Sequence, residues 1–446
     1  MFTRLCARYG KLKMKPKINL QNKNLAINGG TPVRTKGWLD NFTTGDKEIK
    51  AVVRAMKSGY LSLFEGSHTP DPPFSFKGGP EVQALEAEWS SYYDVDHSIS
   101  VNSATSGLYA AIGALGIGYG DEVIVSPYTM SACAVAPMVY GAIPVFADVE
   151  LESGSLDPDS IEKNITNRTK AILIVHQFGI PANMSRIMDI ARKHGLKVIE
   201  DCAQAHQAKV GDRFVGTIGD IGVFSLNVNK TIQTGEGGVC TTNDADLAYR
   251  LQLIRNHGES VVGPAEYEDI TNICGFNYRL TEMQAAIARE QLIRLNNLTE
   301  KRLELVSELT KKLKPFDFLK PFESRENTKS TFYIYPMRYL AERTGVVRED
   351  FITAVNAEGA LFYQRYVKPL YLQPVYQRRH LFKNGYPFSA PENQGSEVNY
   401  DLGVCPNAER LHFHEMVINE HIRLPHESSD IRDIVSAIDK VTSSQV

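Results

Sequence analysis

The sequence predicts an α/β protein: a large, mostly parallel seven-stranded sheet, followed by a smaller C-terminal α+β unit. Three observations predict it. Seven short β-branched or apolar runs fall between residues 98 and 241, and longer stretches with apolar residues at helical spacing alternate with them. After Pro315 this alternation gives way to one strand-like segment, a loop rich in Pro, Tyr and Gly, and a last helix.

The expected strands are 98–101, 122–126, 143–146, 171–175, 197–200, 222–225 and 238–241, each bounded by turn residues or a helical pattern. Helices are expected over 106–115, 184–193 and 244–255. From Thr281, a suitable N-cap, to Lys314 the pattern predicts one long helix or a helix pair linking the two units. Beyond it, the pattern predicts a strand at 331–339 and helices near 348–358 and 430–441. The chain thus divides into a basic, flexible N-terminal tail (1–24), a large α/β domain (25–285), and a linking helix with a small α+β domain (286–446).

Composition bounds the function. With 446 residues, 43% hydrophobic and 23% charged, the chain lies in the globular range, which excludes disorder, collagen and a disulfide miniprotein. Lys plus Arg number 49 against 52 Asp plus Glu, a net charge of -3 that gives no global case for nucleic acid or membrane binding. The apolar runs are strand-sized, well short of the roughly 20 residues that span a bilayer. Six widely separated cysteines without a C-x-x-C pair suggest neither a disulfide framework nor a zinc cluster, so no metal is expected and the compartment is read as a reducing cytoplasm. The first 39 residues carry nine basic side chains and no acidic one. They read as a solvated tail rather than a targeting peptide, because no secretory apolar core follows. Met14 is an alternative natural start, which N-terminal sequencing of native protein would decide.

The densest chemical signal runs from Val198 to Thr242. Ligands of open α/β sheets bind at the carboxyl ends of strands, where Asp201, Gln204, Ser225 and Lys230 fall. A lysine there, followed by Gly235-Glu236-Gly237-Gly238, suits capture of an aldehyde cofactor as a Schiff base. Pyridoxal phosphate works as an electron sink when its ring nitrogen stays protonated, and a carboxylate such as Asp201 favours that form. Taken alone, Lys230 would be a solvated lysine and Asp201 a turn residue or cap; the surrounding motif raises both. A second signal, Asn102-Ser103-Ala104-Thr105-Ser106-Gly107, places small polar residues between a strand and a helix, where free amides and the helix dipole attract phosphate or where Ser and Thr simply cap.

In order and spacing, L-A-I-N-G-G-T-P-V-R, V-N-S-A-T-S-G-L, G-Y-G-D-E-V-I-V, E-D-C-A-Q-A-H, F-S-L-N-V-N-K-T-I-Q-T-G-E-G-G and N-Y-R-L-T-E-M-Q-A-A-I resemble the fold-type I, pyridoxal-phosphate-dependent sugar aminotransferases of the DegT/DnrJ/StrS family. The resemblance spans about Leu25 to Val441. It implies that Lys230 forms the Schiff base, Asp201 pairs with the pyridinium nitrogen and Gln204 lies near the cofactor ring. It further implies that Ser103, Ala104, Thr105 and Ser225 hold the phosphate, and that Asn277 reaches the phosphate of a neighbouring subunit in a homodimer with shared active sites. Met130 stands where the family places an aromatic ring over the pyridine; a thioether can pack there too. Tyr333, Arg365 and Tyr366 stand at positions where many relatives carry other side chains, which bears on substrate recognition. His206 reads either as a ring-flanking, substrate-contacting residue or as a hydrogen-bonded structural histidine, whereas His176 and His194 read as structural or surface residues.

The implied reaction is ping-pong transfer of an amino group from glutamate or glutamine to a keto-sugar, nucleotide-linked or not, or to a keto-cyclitol. Certain features resemble the aminocyclitol branch. Alternatives are a dehydratase or synthase on the same cofactor, against which Lys230 argues for the histidine-bearing dehydratases, and a non-catalytic cofactor-binding regulator, which an assay with donor and acceptor separates from an enzyme.

Overall fold

The computed structural model describes residues 18–443. Most of the basic N-terminal segment, Met14 included, lies outside the described residues. Seven strands form one sheet: β1 (His97–Val101), β2 (Glu122–Val125), β3 (Ile143–Phe146), β4 (Thr169–Val175), β5 (Lys197–Asp201), β6 (Ile221–Ser225) and β7 (Gly238–Thr242). Their order is β1-β7-β6-β5-β4-β2-β3. Pairs β2–β3, β2–β4, β4–β5 and β5–β6 are parallel, and β7 runs antiparallel to β6 and β1. All seven expected strands are present in this one sheet. Their side chains are almost wholly buried because helices cover both faces, which explains why the central strands β2, β3 and β4 read as nearly continuous apolar runs.

The principal helices are α1 (Asp46–Lys57), α2 (Pro80–Tyr93), α3 (Ala104–Ala114), α4 (Ala132–Val139), α5 (Met184–His194), α6 (Ala245–Arg255), α7 (Glu282–Leu313), α8 (Arg348–Ala357) and α9 (Ser428–Thr442). Local chemistry sets their starts. Ser103 caps α3 by accepting from the Ser106 N–H at 3.1 Å, and Asp244 caps α6 through the N–H groups of Asp246 and Leu247. Thr281 and Gln284 form a reciprocal capping box at the start of α7, which is one 32-residue helix rather than a pair.

Trp89, Tyr93, Phe224, Leu292 and Leu295 form a core where α2 and α7 cover one face of the sheet. On the other face, Leu108, Ile112, Val125 and Leu251 join Tyr371, Tyr376 and Tyr400 from the C-terminal loop. The second half of α7 then packs Leu305, Leu309 and Leu313 against a smaller antiparallel sheet, β8 (Leu319–Pro321), β9 (Tyr335–Tyr339), β10 (Tyr363–Gln364) and β11 (Met416–Asn419), in order β8-β9-β11-β10. Ile18 and Leu25 are buried in this second core.

One expected strand is shorter than predicted. Of residues 331–339, only Tyr335–Tyr339 pairs in the sheet. The Thr331 N–H donates instead to the Gly179 carbonyl at 2.8 Å, and Phe332 takes a positive φ of 48°. A Cβ on Gly179 would meet Phe332 N and Thr331 Oγ1 at 2.8 Å, so only glycine admits this crossing. The detour brings Tyr333 over the carboxyl edge of the large sheet. No helix among the described residues is long and apolar enough to cross a membrane.

Candidate active site

Asp201 ends β5 and Ser225 ends β6, on the same edge of the sheet because these neighbouring strands are parallel. Asp201 is 5% exposed. Its carboxylate accepts from the Cys133 thiol (3.0 Å), at the start of α4, and from the Ala203 N–H (2.9 Å). Burial pushes the Cys133 thiol well up and the charge of Asp201 adds to it, so the thiol stays protonated and remains a donor. Gln204 is oriented from both ends: Oε1 accepts from the Phe178 N–H (2.8 Å) and Nε2 donates to the Tyr366 hydroxyl (3.0 Å). Tyr366 in turn donates its backbone N–H to the hydroxyl of the buried Tyr128 (3.0 Å). Burial raises the Tyr366 phenol, so it is a neutral hydroxyl. With the Gln204 amide already donating to it, its own hydrogen is free to point elsewhere.

Lys230 lies in the tight excursion that joins β6 to β7. The Leu226 N–H donates to Gly237 O and the Thr234 N–H to Leu226 O, closing the loop, and Gly235 supplies its positive φ of 82°. The Lys230 carbonyl accepts from Asn41 Nδ2 (2.9 Å), and Nζ lies 4.6 Å from the centre of the Tyr333 ring. A cation over an aromatic face is held there by the ring's quadrupole.

The start of α3 is pressed into the sheet beside β6. A Cβ at Gly238 would stand 2.8 Å from both Ala104 N and Phe224 O, so the last glycine of the Gly-Glu-Gly-Gly run is what lets the helix terminus come this close. The Ala104 and Thr105 N–H groups belong to the helix's unsatisfied first turn, and Thr105 is exposed. Ser225 Oγ accepts from the Asn227 N–H at 3.2 Å. Asn102 ties in the segment that carries Asn277: its backbone N–H donates to Tyr278 O (2.8 Å) and its Nδ2 to Asn277 O (3.3 Å). The Asn277 side chain is exposed beside this helix start. Met130 is 53% exposed on the turn leading into α4, its carbonyl accepting from the Cys133 N–H.

Two other expected residues make different contacts. His206 is 2% exposed, packed against Trp89 and Phe224, with no partner on Nε2. Burial, with Lys230 and Arg302 adding to it, pushes it down to about 3, so it is neutral and acts as a core ring. Arg365 turns to Glu349 of α8 (3.3 Å), and its backbone N–H donates to Met416 O.

Below the site, His176, Glu200 and Cys202 bring potential ligand atoms within 4.8 Å of one another. Their hydrogen bonds suit structure rather than metal. Glu200 accepts from the N–H groups of Gly216 (2.9 Å), Ile218 (2.8 Å) and Gly219 (2.6 Å) as well as from His176 Nε2 (2.9 Å). Because the Ala182 N–H donates to His176 Nδ1, the ring proton sits on Nε2. Burial alone would raise the Glu200 carboxyl, but His176 and the backbone donors outweigh it and hold it below its usual range.

Sequence reasoning missed Tyr128, Cys133, Asn41 and, above all, Arg302. Arg302 sits on the apolar face of α7 with Thr299, Leu305 and Leu309, and a charge at a core position of an amphipathic helix is the signal that could have found it. It is 3% exposed, and burial with Arg423 beside it lowers it to about 10.

The chain matches the DegT/DnrJ/EryC1/StrS aminotransferase family over residues 74–392. It is 31% identical over 434 residues to the L-glutamine:2-deoxy-scyllo-inosose aminotransferase of Streptomyces kanamyceticus, covering 95% of this chain and 97% of that one. It is 36% identical over 299 residues to the dTDP-3-amino-3,4,6-trideoxy-alpha-D-glucose transaminase of Streptomyces venezuelae, covering 67% and 76%. Among solved structures, the aminotransferase from Psychrobacter cryohalolentis superposes with a TM-score of 0.76 at 29% identity, covering 92% of this chain and 99% of that one. A lysine, a carboxylate and a helix start gathered at one sheet edge, together with these matches across most of the length, place the chain in the DegT/DnrJ/EryC1/StrS aminotransferase family.

Proposed function

We propose that the protein uses pyridoxal phosphate to move an amino group from glutamine to a ketone on a polyhydroxylated ring, a keto-cyclitol or keto-sugar, by ping-pong transfer. The observation that carries this reading is the convergence of Lys230, Asp201 and the Gln204–Tyr366 pair at the carboxyl edge of β5 and β6. The residues fit the cofactor. The open N–H groups of Ala104 and Thr105, with Ser103 and Ser225 beside them, suit a phosphate, and Gly238 is what lets that helix start sit close to the sheet. Asp201, positioned by the Cys133 thiol and the Ala203 N–H, suits a protonated ring nitrogen. When bound, the cofactor supplies the electron sink that stabilises negative charge on the substrate carbon.

The chain's own groups divide the remaining work. Lys230 Nζ would hold the cofactor through its aldehyde and, when free, would move a proton to and from the reacting carbon. The Tyr333 ring keeps that ammonium oriented. Gln204 and Tyr366 fix each other at the site, leaving one hydroxyl hydrogen for a ligand. Met130 is the candidate cover for the exposed ring face. Glutamine as donor and an inosose or sugar as acceptor are the substrates named for the relatives, and the match to the inosose enzyme extends over more of the chain. The reading includes a homodimer with Asn277 shared between subunits; the exposed apolar side chains Phe42, Ile49, Val53, Met56 and Ile293 offer surface for a contact between copies. A reducing cytoplasm suits the five cysteines among the described residues, all free.

The test is the absorption spectrum of purified protein, then borohydride reduction and peptide mass mapping. A pyridoxyl group on Lys230, and amination of a keto-cyclitol with nitrogen from labelled glutamine, are the expected results. No adduct after incubation with pyridoxal phosphate would overturn the reading.

A further inference from the structure

Behind Lys230 lies a cavity of about 310 Å³, bounded by Asn41, Thr231, Arg294, Arg302, Arg423 and the Leu424-Pro425 turn. Asn41 and Thr231 tie it to the catalytic lysine: Asn41 holds the Lys230 carbonyl, and Thr231 is the next residue. Its charges are unbalanced. Arg302 makes one hydrogen bond, Nη1 to Thr231 Oγ1 at 2.8 Å, and its buried Nε has no partner. Arg423 comes from the far end of the chain, half-buried, and its Nε is likewise buried and unpartnered. Among the described residues, neither guanidinium has a carboxylate at ion-pair distance; Asp40 and Glu420 reach Arg423 only through space. Arg294 is already committed to Glu48 at 3.0 Å, and Glu427 is exposed at the rim. Tyr333, which faces Lys230, lies within electrostatic reach of both arginines.

A buried guanidinium without an ion-pair partner, with a second half-buried one beside it, is unfavourable unless an anion completes it, and the planar donor forks match an oxyanion bidentately. We infer that the cavity bounded by Arg302, Arg423, Asn41 and Thr231 is an oxyanion subsite, which takes a carboxylate or phosphate carried by one of the two substrates while its reacting group faces Lys230. The inference rests on the aminotransferase reading and deepens it. The oxyanion has two possible carriers, the amino donor with its carboxylate or an acceptor that bears phosphate.

Calorimetric titration of the holoenzyme with glutarate, a dicarboxylate with no group to transfer, and with inorganic pyrophosphate tests it. The expected result is saturable glutarate binding that weakens at least tenfold in Arg302→Gln and in Arg423→Gln. Binding of pyrophosphate but not glutarate, lost in the same variants, keeps the subsite and assigns it to a phosphate-bearing acceptor. Binding of neither probe, or binding unchanged in the variants, overturns the inference. Should Arg302→Gln fail to fold, the half-buried Arg423→Gln decides. If neither probe binds while labelled glutamine still aminates an acceptor, the subsite fails and the aminotransferase reading stands. If the probes bind as expected and no transfer occurs with any acceptor, the failure belongs to the aminotransferase reading instead.

Discussion

Glu200 and Arg302 are both charged and both nearly without solvent contact, at 0% and 3% exposure, yet their surroundings differ in kind. Glu200 is closed: three backbone N–H groups and His176 saturate its two oxygens. Arg302 is open, with one hydroxyl contact, a second arginine nearby and a cavity in front. A buried charge with every hydrogen-bonding site occupied serves the fold, pinning the 216–219 turn against β5. A buried charge left short of partners has hydrogen-bonding capacity to spare.

That contrast can be broken in order of effect. The chemistry should belong to Lys230, between neither centre, so Lys230→Ala is expected to lower turnover by roughly 10³-fold or more with folding intact. Steady-state kinetics beside circular dichroism check this, and multiple-turnover transamination in the variant would remove the assignment. Next, Glu200→Ala strands three amides and His176 and is expected to cost about 3–5 kcal/mol. Arg302→Gln, which removes an unpaired buried charge, should leave stability unchanged or raised. Urea titrations of the two variants compare the centres directly, and equal destabilisation would erase the distinction.

A third test is acid. His206 is held down to about 3 against 6.5 in the unfolded chain. Below pH 6.5 the unfolded chain therefore takes up a proton that the native ring refuses, and stability falls as pH falls toward 3. The depressed Glu200 works in the same direction, its stabilisation being present above the unfolded carboxyl value and lost as pH falls through the folded one. His206→Phe should flatten the slope of stability against pH between 6.5 and 4 by at most about 1.4 kcal/mol per pH unit. An unchanged slope would mean the ring is reachable by protons. The smallest effect is expected from Cys133→Ala, which removes one of two donors to Asp201. Turnover should fall about tenfold, the weight of one hydrogen bond to a charged group, and Cys133→Ser should restore it.

Much of this was legible in the chain itself. The central strands of the large sheet announce themselves because they are buried on both faces and so are written as nearly continuous apolar runs. The start of α7 is equally plain, since Thr281 and Gln284 cap it within one turn. Lys230, Asp201 and Gln204 could be found because strand-end chemistry is local in sequence. By contrast, 331–334 has strand composition but leaves the sheet, because Gly179, far away in sequence, offers its carbonyl to Thr331.

The α/β alternation, the helix caps and the lysine, carboxylate and glycine run that mark the chemistry are all written in short stretches of the chain, since propensity, capping and burial act over a few residues. Which distant groups meet is set by tertiary packing: Gln204 with Tyr366 across 162 positions, Arg302 with Thr231 across 71, and Arg423 with Arg302 at one cavity. Such meetings depend on how helices and loops pack over the sheet edge. Packing is a property of the whole folded chain, and no local pattern of residues encodes it.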